Sequence, residues 1–289
     1  MKKIQKMLGL AVFLFAFGIL MGAAPVKAAG TVDEICGYTS KNISFSADLT
    51  GDGKEDAVKI KLRTMSDGDY VDKLAVYVNG TKVLNLWDKY YYYITVNYIH
   101  MSKTKNFLQL IGYGDNDWRI YNSIYRYDTK TKKLVKALDL KEDNLMTGGE
   151  VIKVSGNQIS VRHSYQPSET GWVRWKFNYV YKNGTFKRVS DTSKVLSSLG
   201  NDEINDGYSK YFRKNQFKAA RTIRFYTSRT KKKIAFTAKK GDVLTLRNIK
   251  ITGGKMYMQF KKGSKTGWRE VDKYYTRPLF YGVSRRLAG

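Results

Sequence analysis

The chain has 289 residues and a net charge of +27, from 52 lysines and arginines against 25 aspartates and glutamates. Its single cysteine excludes an intrachain disulfide, and its two histidines, His100 and His163, lack any metal-ligand spacing with a second histidine or cysteine. The length suits one large or two modest domains held by an ordinary apolar core.

In chain order, Lys2, Lys3 and Lys6 precede an apolar run from Met7 to Met21 and then Val26-Lys27-Ala28. This is the layout of a secretory signal over residues 1–28, cleaved before Ala29. It implies a secreted protein, extracellular or associated with the cell wall. No later apolar run approaches the roughly 18 residues that span a bilayer, so no transmembrane segment is expected in the mature chain. Cys36 has no basic neighbour to activate its thiol and reads as a small apolar residue, buried or half-buried.

The periodic segments that follow are rich in Tyr, Val, Ile, Phe and Thr, the composition of strands. In "DKLAVYVNGTKVL" Leu74, Val76 and Val78 share one side, and Asn79-Gly80 marks a hairpin turn. In "WVRWKFNYVYKNGTF" Val173, Trp175, Phe177, Tyr179 and Tyr181 lie on one face, Arg174, Lys176 and Asn178 on the other, and Asn183-Gly184 is the turn. Between them "SIYRYDTKTKKLVKALDL" has Asp128-Thr129 in the turn place. Each hairpin follows another strand pair: "ISFSA" with "AVKIKL", "ITVNYI" with "FLQLIGY", "EVIKV" with "QISVRH". Residues 29–190 therefore predict three degenerate repeats of about 50 residues, each a small antiparallel sheet, arranged as a propeller or a sandwich.

Residues 191–214 break this pattern. Val195, Leu196 and Leu199 have helical spacing, with Asp191 or Thr192 as cap and Gly200 as stop, which predicts a linker with a short helix. From Thr222 five short strands follow, "TIRFYT", "KIAFTA", "DVLTLRNIKI", "KMYMQFK" and "GWREV", and their density predicts a small barrel within 215–289. The fold class expected is thus all-β throughout.

The charge is unevenly placed. Residues 29–207 carry 25 basic and 22 acidic side chains, whereas 208–289 carry 23 basic and 3 acidic. That surplus points to an anionic partner for the second part. For a secreted chain this is an anionic cell-wall polymer or peptidoglycan, or a lipid surface, rather than nucleic acid. Lys231, Lys232, Lys233, Lys239, Lys240, Lys261 and Lys262, with Lys265, are the candidate contacts.

Two stretches resemble known families. "DLTGDGKEDAVKI" is similar to the loop and strand of integrin-type FG-GAP or VCBS-like blades, whose pattern is D-x-[D/N]-x-D-G-x-x-D. The resemblance implies a calcium ion (Ca2+) held by Asp48, Thr50, Asp52, Lys54 (through its carbonyl) and Asp56, in a structural role. An EF-hand is excluded, because its twelfth position is Lys59, inside the next strand. Thr50 replaces a better ligand, and an Asp/Gly-rich turn that binds nothing is the alternative. Residues 226–271 resemble a bacterial SH3-like domain through Lys239-Lys240-Gly241-Asp242, the Val-x-x-Leu strand and Gly267-Trp268. This implies binding of wall peptides or polysaccharides, with Trp268 at the landmark.

Trp175 reads as core and Trp172, on the opposite phase, as exposed; Trp118 and Tyr90 to Tyr93 are candidates for a sugar platform. Catalysis finds little support. The sequence favours a non-enzymatic binding protein, and the alternative is a wall or glycan hydrolase using carboxylates such as Glu150 and Glu169.

Overall fold

The computed structural model describes residues 29–65, 70–114, 119–143, 148–200, 207–230, 233–271 and 278–283. The expected signal at 1–28 lies outside them, as do Trp118, Lys231 and Lys232. The fold is all-β, built from antiparallel sheets, none of which closes into a barrel. Among the described residues no helix is long and apolar enough to cross a membrane.

Three four-stranded meanders form the first part. The first is β2 (Ile43–Ala47), β3 (Asp56–Thr64), β4 (Val71–Val78) and β5 (Thr81–Tyr91). The second is β6 (Tyr93–Ser102), β7 (Lys105–Tyr113), β8 (Arg119–Asp128) and β9 (Lys133–Asp139), with β1 (Thr31–Thr39) added beside β6. A single helical turn, α1 (Leu140–Asp143), leads to the third: β10 (Gly149–Ser155), β11 (Gln158–Tyr165), β12 (Trp172–Lys182) and β13 (Thr185–Arg188). The strand pairs and hairpins expected from the sequence all form. Asn79-Gly80 and Asn183-Gly184 both have positive φ at both residues, the conformation a two-residue hairpin needs to match strand twist.

The second meander lies between the other two. Tyr98, Leu108 and Tyr125 face the first and pack with Val58, Ile60, Leu74 and Val76. Ile99, Phe107 and Ile124, each next in sequence to one of those, face the third and pack with Val161, Trp175, Phe177 and Tyr179. A strand buried on both faces must be apolar at nearly every position. β7, "KNFLQLIGY", is buried from Asn106 onward, whereas β12, with one face wet, alternates.

Three of the polar exceptions inside β6–β8, Asn97, Gln109 and Asn122, bond to one another and to β10. Gln109 Nε2 donates to Asn122 Oδ1 and to the Gly149 carbonyl, both at 2.9 Å, and Asn97 Nδ2 donates to Gln109 Oε1 at 3.1 Å. The Val151 amide donates to Gln109 Oε1 at 3.3 Å. These side-chain amides satisfy backbone groups of β10, which begins the third sheet, as a neighbouring strand would.

The helix expected over 192–199 does not form. These residues are β14 (Thr192–Gly200), whose first half pairs with β18 (Val243–Thr252) and whose second half pairs with β12. Ladder bonds on both sides outweigh the local i, i+3 pattern. The short helix of this stretch lies later, at α2 (Ser209–Phe212), where it buries Phe212. Through β14 the third meander and the C-terminal strands become one eleven-stranded sheet.

β15 (Gln216–Lys218) also pairs with β18, and β16 (Ile223–Tyr226), β17 (Ile234–Ala238), β19 (Lys255–Lys262) and β20 (Lys265–Val271) complete this part of the sheet. All five strands expected after Thr222 are present. Their order, β18-β19-β20-β16-β17, leaves the sheet open rather than barrel-closed. Phe217, Phe225, Phe260 and Phe280 fill its core with mutual ring contacts of 5.0–5.7 Å.

Candidate functional site

Two places assemble the residues singled out by the sequence: the acidic loop between β2 and β3, and the lysine-bearing turns of the C-terminal sheet.

In the loop, Asp48 turns its carboxylate back onto the chain. Oδ1 accepts the Gly51 N–H at 2.7 Å and the Asp52 N–H at 3.1 Å, and Oδ2 accepts the Gly53 N–H at 2.9 Å. Gly51 and Gly53 have φ of +76° and +86°, which the tight curl requires. Asp56, only 3% exposed, accepts the Leu49 and Thr50 N–H groups at 2.8 Å each on Oδ2. Its Oδ1 accepts from Asn79 Nδ2 at 2.7 Å and from the Thr50 hydroxyl at 3.3 Å. Asp52 accepts the Lys54 N–H at 2.8 Å and is exposed. Each carboxylate thus answers donors of its own loop, and Asp56 also ties the loop to the β4–β5 hairpin.

The calcium expected at Asp48, Thr50, Asp52, Lys54 and Asp56 would share carboxylates that already accept N–H groups of the loop. A calcium loop turns six to eight oxygens toward a common point. Here the backbone N–H groups of residues 49–53 point at carboxylates, and those bonds already fix the curl. Among the described residues no three His, Cys, Asp or Glu side chains stand together as a metal-holding group. The loop also docks on the second meander. The Tyr98 hydroxyl donates to the Asp48 carbonyl at 3.0 Å, and a Cβ on Gly51 would come within 3.1 Å of the Thr104 carbonyl oxygen.

At the other place, the β17–β18 turn carries Lys239 and Lys240, and the β19–β20 turn carries Lys261, Lys262 and Lys265. Asp242 joins them. Its Oδ2 accepts the Lys239 N–H at 2.6 Å and pairs with the Lys262 ammonium. Those interactions, the Lys262 partner first, hold the Asp242 carboxyl below the usual carboxylate range. Lys239, Lys240, Lys261 and Lys265 are exposed. Lys233 is not part of the group: it precedes β17, about 20 Å from Lys239 by the rise of a strand. Trp268 sits within β20, opposite Gln259 and Tyr226, and is half-buried.

The remaining candidates separate. Trp175 is fully buried, and Trp172 is 39% exposed, as their phase predicts. Tyr91 is buried, while Tyr92 and Tyr93 are half-buried. Burial pushes the Cys36 thiol up, away from reactivity. His100 Nδ1 contacts Asn106 Oδ1 at 2.6 Å, and His163 is stacked on Trp175 at 5.6 Å. Glu150 pairs with Arg162 at 2.7 Å, and Glu169 is buried in the β11–β12 connection. Asn79 and Tyr98 at the loop and Asp242 at the lysine turns hold these places in shape, and none was singled out as a site residue. Asp242 and Asn79 occupy recognised turns, and only their distant partners reveal their roles. The comparisons found no matching family model, no matching curated protein and no matching solved structure.

Proposed function

We propose that the chain is a non-enzymatic, envelope-associated binding protein that attaches to an anionic wall polymer or peptidoglycan through the turn end of its C-terminal sheet. The observation that carries this reading is the gathering of Lys239, Lys240, Lys261, Lys262 and Lys265 on two turns joined by Asp242. Several ammonium groups on one rim bind a polyanion by displacing its counterions, and such binding weakens steeply with salt. The surplus of 23 basic over 3 acidic residues in 208–289 extends the attraction beyond the rim.

An SH3-like reading of this part is supported by how the flanking chain returns to the five strands. β15 lies on β18, and Ala219 bridges Phe280. The three meanders, stacked face to face, support a blade-like reading of the first part. Secretion rests on the sequence of residues 1–28.

The test is sedimentation of the full chain with intact walls and with walls stripped of anionic polymer, across a range of salt. The expected result is binding to intact walls that falls linearly on a log–log salt plot. The triple variant Lys239→Gln, Lys240→Gln, Lys265→Gln flattens that slope. Binding indifferent to salt, or unchanged in the triple variant, sinks the proposal. Clearing of the wall suspension transfers support to the hydrolase reading.

A further inference from the structure

At one end of the three meanders, the β2–β3 loop, the β6–β7 and β8–β9 turns and the end of β12 come together around an open cleft of about 360 Å3. That volume is within the range of small-ligand sites. Thr50 comes from the first meander, Thr104, Lys105, Arg126 and Lys130 from the second, and Tyr181 from the third. The self-clamped acidic loop forms one wall, pressed against the β6–β7 turn where Gly51 meets Thr104.

The charge of this cleft is positive although the part around it is nearly balanced. Lys105, Arg126 and Lys130 face a single lining carboxylate, Asp128. That carboxylate already has other work. Its Oδ1 accepts the N–H groups of Lys130 at 3.1 Å and Thr131 at 3.0 Å, and its Oδ2 accepts from Arg126 Nη1 at 3.1 Å. Asp128 therefore closes its own turn and aims the guanidinium. The Arg126 side chain is 28% exposed and lines the cleft, while its Nε is buried away from it. A guanidinium with two ammonium groups from separate turns suits a tetrahedral oxyanion. Thr104, Thr129 and Tyr181 line the same cleft, and their hydroxyls are of the kind that hydrogen-bond a polyol or sugar.

We propose that this cleft binds one phosphate group carried on a hydroxylated unit, a polyol phosphate or sugar phosphate. The site is separate from the lysine rim of the C-terminal sheet and stands or falls without it.

Calorimetric titration of the full chain with glycerol 3-phosphate, inorganic phosphate and glycerol tests this. Saturable one-to-one binding of glycerol 3-phosphate is expected, tighter than inorganic phosphate, with none for glycerol. Lys105→Gln, at an exposed position whose loss leaves the fold intact, should weaken it about ten-fold or more, as should Arg126→Gln. The variant Lys239→Gln, Lys240→Gln should bind glycerol 3-phosphate as the parent does while losing wall affinity. No saturable binding at millimolar glycerol 3-phosphate overturns the proposal. So does equal affinity for inorganic phosphate, or binding unaffected by Lys105→Gln and Arg126→Gln.

Discussion

Asp56 in the first meander and Asp242 in the C-terminal sheet each hold a sharp turn by accepting backbone N–H groups. Asp56 is buried and joins two turns of one sheet through Asn79; Asp242 stands at the surface and joins two turns through Lys262. The first part directs its polar groups inward, onto Gln109, Asn122 and the backbone of β10. The second part leaves its cations at the surface, because it has only 3 acidic side chains for 23 basic ones. The same local device therefore serves cohesion in one region and the presentation of charge in the other.

The largest expected effect is at the cohesive end of this comparison. Asp56→Ala takes the acceptor from the Thr50 amide and from Asn79 Nδ2, leaves the buried Leu49 amide only the Ala47 carbonyl, and should cost about 2–3 kcal/mol in urea unfolding. Asp56→Asn, which keeps an acceptor oxygen, should recover part of that loss. Millimolar calcium tests the metal brace expected of this loop. A rise in the parent's unfolding midpoint that Asp56→Ala abolishes supports the brace and breaks the comparison, and an unchanged midpoint removes it.

A second inward polar group gives a pH signature. His163 is fully buried between Gly148 and the Trp175 ring, and desolvation lowers its pKa to about 3. Unfolded, it titrates near 6.5. Stability from its neutral form is complete above that value. It is lost as pH falls from 6.5 toward 3, because the unfolded chain takes up the proton first. The loss by pH 5 is roughly 2 kcal/mol, at about 1.4 kcal/mol per unit. His163→Phe should flatten the profile between pH 7 and 5. An unchanged slope in that variant would place the acid sensitivity elsewhere.

Much of this organisation was legible in the sequence, and the failures have a common cause. Alternation fixed the faces of β4 and β12, and Asn-Gly pairs fixed their turns, because both are set by neighbours within a few residues. β14 was misread because its partners, β12 and β18, lie up to about 58 residues away in sequence and supply bonds that a local helical pattern cannot show. The acidic loop was legible as a turn. The pattern of Asp48, Asp52 and Asp56 is shared by loops that hold a cation and loops that hold their own N–H groups. Only the directions of the carboxylates distinguish them. The lysines were visible as a composition, but Lys233 and Lys239 are separated by the length of β17, so the sequence run does not map onto one rim.

Asp242→Ala carries the smallest stability effect and the sharpest test of the surface end of the comparison. The pair with Lys262 is solvent-accessible, with side-chain exposures of 37% and 27%, so its removal should cost less than about 1 kcal/mol. The same change frees the Lys262 ammonium and removes the carboxylate between the two lysine turns. Wall binding at low salt should therefore tighten, and its salt dependence should steepen, while the fold persists. If Asp242 instead mattered chiefly as the clamp that sets the two turns side by side, the variant would bind more weakly at every salt concentration. The sign of the change thus separates charge presented by a rim from geometry imposed on it.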